Sequence, residues 1–116
     1  MREGELKSVI EDYLQLGENQ GKWVFFRLNS GDFIEIRGNT RRRIKGCPKG
    51  TADFEVIRGW YPRGAPNKAE TLVTFLELKS EKGRQTKEQK EFQGKVEAQD
   101  CSYYIIRTFE QLQNLL

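Results

Sequence analysis

Apolar positions along this chain alternate between helical and strand spacing. Between residues 3 and 16, Leu6, Val9, Ile10, Tyr13 and Leu14 recur every three or four positions, which predicts an amphipathic helix with Gly17 as its stop. KWVFFRLN (22–29) is rich in aromatic and β-branched residues and predicts a strand. The Asn29-Ser30-Gly31-Asp32 cluster predicts a turn, and DFIEIRG (32–38) a second short strand. Residues 39–50, punctuated by Gly46, Pro48 and Gly50, read as a loop or hairpin. TADFEVIRG (51–59) is a further strand. TLVTFLELKS (71–80) is the strongest, and its nearly continuous apolar run predicts burial on both faces. A long loop over 60–70 makes these two strands antiparallel neighbours.

After a turn at EKGRQ (81–85), Thr86 and Gln89 have the spacing of a capping box and open a helix to about Ala98. CSYYIIRT (101–108) is the last strand. Thr108 and Gln111 repeat the capping pattern before a short helix carrying Phe109, Leu112 and Leu115. The expected fold is α/β, a central mixed β-sheet flanked by helices, summarised as α-β-β-β-α-β-α in one domain over 1–116.

Composition narrows the chemistry. The 116 residues are 36% hydrophobic and 32% charged, and no apolar run approaches the roughly 20 residues of a membrane span. The first residues, MREGELKSVIEDYL, carry acids where a secretory signal would be basic and then apolar, so the expected location is the cytoplasm, of a bacterium or of the host of a virus or phage. There is no histidine, which removes Ser-His and Cys-His triads, histidine bases and nearly all histidine-ligated zinc or iron sites. Cys47 and Cys101 are too few for a four-cysteine zinc site and are expected as free thiols. Carboxylates and lysines, with a hard metal ion, are left to do any catalytic work.

Net charge is only +3, but it is unevenly spread. Residues 37–49 carry Arg37, Arg41, Arg42, Arg43, Lys45 and Lys49 without an acid, and Lys82, Arg84, Lys87, Lys90 and Lys95 follow later. Such a run serves equally as a solvated face and as a salt-sensitive rim for phosphates.

Two features converge on a candidate site. Glu77 and Lys79 alternate with buried positions and share a strand face with Val73 and Phe75, where charges are costly to bury without partners. Asp53, on the preceding strand, would lie beside Glu77 if the two strands pair. Adjacent carboxylates repel unless one is protonated or a cation lies between them. All-oxygen ligation by Asp53, Glu77, the Leu78 carbonyl and waters suits Mg2+ or Mn2+. Lys79 would stabilise charge on a phosphate, completing the parts needed to hydrolyse a phosphodiester.

The ordered set Glu3-Gly4-Glu5, Asn29-Ser30-Gly31, Gly50-Thr51-Ala52-Asp53, Glu77-Leu78-Lys79, Gly83-Arg84 and Gln89 resembles the PD-(D/E)XK nuclease superfamily, and more closely a small stand-alone VRR-NUC domain, over nearly the whole chain. The resemblance implies a restriction-endonuclease-like fold and a Mg2+- or Mn2+-dependent endodeoxyribonuclease. Asp53, Glu77, Lys79 and Gln89 would be catalytic, and Glu3, Asp53, Glu77 and Leu78 would hold the metal. Glu5 competes with Glu3 for the helix position, and Glu3 fits the pattern better. The resemblance also implies a homodimer acting on branched DNA such as Holliday junctions, with no membrane partner. A flap, nick or general duplex endonuclease, or a catalytically silent DNA-binding module, are the alternatives. Ala52 stands where the family has proline, a change without chemical consequence.

Arg41, Arg42, Arg43, Lys45, Lys49 and Arg84 are the expected DNA contacts, with Trp60, Tyr61 and Arg63 as further candidates. Each site residue also has a plainer reading. Asp53 can be a turn aspartate, Glu77 and Lys79 an exposed ion pair, Gln89 the closing member of a capping box, and Glu3 or Glu5 a favourable charge at a helix N-terminus.

Overall fold

The structure, a computed structural model, describes residues 2–60 and 70–116. Its elements in chain order are α1 (Glu3–Asn19), β1 (Val24–Arg27), β2 (Asp32–Arg37), β3 (Thr40–Lys45), β4 (Phe54–Trp60), β5 (Glu70–Leu78), α2 (Lys87–Glu97), β6 (Ser102–Ile106) and α3 (Phe109–Leu115). The class is α/β, as expected, with a mixed open sheet ordered β1-β4-β5-β6 and helices against it. β1 and β5 both flank β4 antiparallel, in the register Phe54↔Leu76 on the β5 side, and α2 carries the crossover that lays β6 parallel to β5.

Alternation along the strands divides the two faces. Phe54, Val56, Leu76, Leu78 and Ile106 point to one side, where Leu6, Ile10 and Leu14 of α1 and Leu112 of α3 close over them; all are fully buried or nearly so. Burial of each such side chain contributes roughly 1.5–3 kcal/mol. The intervening residues point to the other side, where Phe92 of α2 stacks edge-on to Phe75 at 5.2 Å and tilts against Tyr103 at 6.2 Å. Glu77 belongs to this second face.

Two expectations are corrected. Gly17 does not stop the first helix but lies inside it, because the Trp23 ring packs so closely that a Cβ at Gly17 would meet it at 2.0 Å. Trp23 also donates its indole N–H to the Leu14 carbonyl at 2.8 Å, and the helix ends beyond, before Gly21 at φ 76°. The second correction concerns element order. Five strands precede α2, where the stretches read as strands number four and the summary order α-β-β-β-α-β-α three. The basic run forms a strand, β3, turned back on β2 through Gly38, whose φ of 56° is readily reached only by residues without a hindering Cβ.

The β2–β3 pair is a sheet of its own. Among the described residues it makes no contact with another helix or strand. Its base is held by backbone bonds: Gly31 N–H to the Cys47 carbonyl at 3.0 Å, Gly46 N–H to Gly31 at 2.7 Å and Cys47 N–H to Asn29 at 2.7 Å. The stretch 61–69, with Tyr61 and Arg63, lies outside the described residues, and Trp60 ends β4 half-exposed. No helix among the described residues is long and apolar enough to cross a membrane.

Candidate active site

The two strand-borne acids meet where β4 begins and β5 ends. Asp53 immediately precedes β4 and is held by two backbone bonds and one through its side chain. Its N–H donates to the Leu76 carbonyl at 3.0 Å, its carbonyl accepts from Leu28 N–H at 2.9 Å, and its Oδ2 accepts from Leu78 N–H at 2.8 Å. Leu78 thus contributes its amide to the position of Asp53, in addition to the carbonyl role expected of it.

Glu77 is only 3% exposed. Its Oε1 accepts from Gln89 Nε2 at 2.7 Å and lies 4.0 Å from Lys79 Nζ. Its Oε2 is buried and has no hydrogen-bond partner among the described residues. A buried carboxylate oxygen left unsatisfied is costly, and native structures retain few of them. Burial, followed by the Asp53 charge, pushes the Glu77 carboxyl up to about 8; Lys79 and Lys7 oppose this and Glu3 adds to it. An acid so placed stays protonated at neutral pH or gains a cation.

Gln89 joins two structures with one amide. Its Oε1 accepts from Thr86 N–H at 2.8 Å and its backbone N–H donates to Thr86 Oγ1 at 3.1 Å, closing the capping box, while its Nε2 reaches Glu77. The residue therefore closes the cap and contacts Glu77 with the same amide. Its helix is pressed close by Gly50, which has a φ of 92° and lies where a Cβ would meet the Glu88 backbone at 2.5 Å. Only glycine lets the segment leading into Asp53 pack so tightly on the first turn of α2.

Asp53, Glu77, Lys79 and Gln89 are thus brought together. Glu3 is exposed on the first turn of α1, near enough for its charge to act on Glu77, whereas Glu5 Oε2 accepts from Arg2 N–H at 3.4 Å and serves the helix cap. Among the described residues no three His, Cys, Asp or Glu side chains form a group that could hold a metal ion, so the acids at the centre number two.

The basic residues divide. Arg41, Arg42, Arg43 and Lys45 lie on β3, which among the described residues makes no contact with β4 or β5. Lys49 pairs with Glu88 at 3.8 Å, and Arg84 is exposed just ahead of α2.

Two residues near the site escape sequence reasoning. Lys7 Nζ stands 3.7 Å from Asp53 Oδ1. Its signal is spacing: it follows Glu3 by four residues, on the side of α1 that carries Leu6 and Ile10. Arg107 Nη1 donates to the carbonyls of Ser80 at 2.7 Å and Gly83 at 2.6 Å, and to that of Glu81 at 3.3 Å, so it gathers the turn that follows Lys79. Nothing local in the sequence announces that role.

No family model matches the chain, nor does any curated protein or solved structure.

Proposed function

We propose that this protein is a divalent-metal-dependent DNA endonuclease of the PD-(D/E)XK type, VRR-NUC-like, with the Asp53–Glu77 pair at its centre. The observation that carries the reading is the buried Oε2 of Glu77, without a hydrogen-bond partner among the described residues, beside a second carboxylate and a lysine. A folded domain gains nothing from that arrangement, whereas a hard cation would satisfy it. The donor set fits Mg2+ or Mn2+: carboxylate oxygens of Asp53 and Glu77 and the Leu78 carbonyl, with Glu3, which forms no group with the two acids among the described residues, acting through water. When bound, such an ion polarises a phosphate oxygen and lowers the pKa of an attacking water.

The protein groups have separate tasks. Gln89 fixes the Glu77 carboxylate, and Leu78 N–H fixes that of Asp53. Lys79 brings an ammonium to the charge that builds on the scissile phosphate. Lys7 offsets charge at Asp53. The expected products end in 5′-phosphate and 3′-hydroxyl. The sheet-with-helices class agrees with this superfamily, and the β2–β3 arm is then an addition to the common order. As a homodimer presenting two centres across a two-fold axis, the protein would act on branched DNA such as four-way junctions.

The test is a cleavage panel of junction, flap, nicked, duplex and single-stranded DNA with Mg2+ or Mn2+ and with a chelator. Cleavage only with metal, highest on the junction, is expected. Retention of DNA in Mg2+ without product would favour a silent binding module.

A further inference from the structure

The β2–β3 arm has two unlike faces. In an antiparallel ladder directly opposed residues point the same way. The register pairs Ile34 with Arg43, Ile36 with Arg41 and Asp32 with Lys45 on one face, which so carries three cationic positions and one acidic one. The opposite face pairs Glu35 with Arg42 and holds Arg37. On that face Glu35 forms ion pairs with both Arg37 and Arg42, the latter at 3.6 Å. On the first face Arg41 has no ion-pair partner among the described residues, and Ile34 and Ile36 are 68% and 65% exposed. Two isoleucines so open to water, beside basic residues, on a ribbon that touches no other helix or strand among the described residues, contribute nothing to the core.

We propose that this face, Ile34 and Ile36 with Arg41, Arg43 and Lys45, is the surface that enters a groove of duplex DNA; the proposal rests on the endonuclease reading and assigns its DNA grip. The dimensions suit it. Six-residue strands span about 20 Å and lie about 5 Å apart, and a two-stranded ribbon fits a major groove about 12 Å wide. The isoleucines would meet apolar base edges such as thymine methyls while the flanking cations reach phosphates. Arg42 is excluded from the contact set expected for the run, since it faces the other way and is held by Glu35. A second copy of the chain is the poorer occupant. Face-to-face stacking of two arms would set Arg41 and Arg43 against their own equivalents, and like charges across an interface disfavour it.

The experiment uses the full chain carrying Glu77→Gln, so that DNA stays intact, and a fluorescent mixed-sequence duplex titrated at several salt concentrations. Ile34→Thr/Ile36→Thr keeps the β-branched shape and removes the apolar surface. Duplex affinity is expected to fall by about tenfold or more with an unchanged slope of log K against log salt. Arg41→Ala should lower that slope by about one, and Arg42→Ala should leave it nearly unchanged. Parental affinity in the threonine variant overturns the proposal, and so does a change in its molar mass by light scattering, which would mark the face as a self-interface. If the wild-type chain cuts DNA while the threonine variant binds normally, only the arm assignment fails. If it neither binds nor cuts any DNA, the endonuclease reading fails with it.

Discussion

The Gln89 amide donates to the Glu77 carboxylate at 2.7 Å, so the most deeply buried acid of the candidate site is tied to the first turn of α2. Helix cap and site geometry are coupled through one side chain, and the coupling can be separated by mutation. Thr86→Ala removes the capping hydroxyl and should cost about 1 kcal/mol of stability with little loss of cleavage. Gln89→Glu retains an oxygen for the Thr86 N–H but replaces the donor to Glu77 with a like charge. It should lose cleavage by at least about tenfold. Thermal melts and single-turnover cleavage of both variants check this, and equal cleavage losses in the two would contradict it.

The Glu77 carboxyl makes stability depend on pH in a defined direction. Its folded value of about 8 lies above the ordinary value of 4.5, so folding takes up a proton between them. Its contribution is complete below the unfolded value and is lost as pH rises through the folded one. In chelator, the wild-type melting temperature should therefore fall between about pH 5 and pH 9, by an amount equivalent to a few kcal/mol at most. Glu77→Gln should flatten that fall and melt higher than wild type at the alkaline end. Mg2+ or Mn2+ should restore much of the wild-type loss there, because the cation replaces the proton. A wild-type curve as flat as that of the variant would remove the basis for this account.

Removing the central groups should separate chemistry from binding. Glu77→Ala, Lys79→Ala and Asp53→Ala are each expected to reduce cleavage by about a thousandfold or more while salt-sensitive DNA binding persists. Gel-shift and cleavage assays on the same preparations decide the matter. Undiminished cutting by Glu77→Ala and Lys79→Ala would mean that the chemistry lies elsewhere.

Gly50 and Gly4 offer a matched pair. A methyl at Gly50 would meet the Glu88 backbone at 2.5 Å on a residue with φ of 92°, whereas nothing stands within 4 Å of the same atom at Gly4. Gly50→Ala should cost on the order of 1–3 kcal/mol and disturb the approach to Asp53. Gly4→Ala, in the first turn of α1, should be neutral or stabilising by up to about 1 kcal/mol. Denaturant titration of the two variants is the measurement.

Much of this arrangement was legible in the residues. The nearly unbroken apolar run of β5 made Glu77 conspicuous, and pairing of β4 with β5 brought Asp53 to it. The Thr86–Gln89 spacing announced a cap, but the sequence could not show that the same glutamine reaches the acid. Lys7 and Arg107 were not legible, because each acts on groups distant in sequence, Arg107 on carbonyls 24 to 27 residues away. β3 was obscured for another reason. Strand patterns are read from one buried face, and every residue of β3 is exposed. Gly17 misled because glycine serves helix ends and close packing alike, and only the position of Trp23 separates the two.

Asp53 bonds through its amide to Leu76, through its carbonyl to Leu28 and through its side chain to Leu78. Those partners come from both neighbouring segments, one before it in the chain and one more than twenty residues later. Forming the acid pair therefore requires closing long loops, steps that conformational entropy makes slow. During refolding, α1 and α2 should gain helical signal before the proposed metal-dependent cleavage returns, so that its recovery would time the completion of the central sheet.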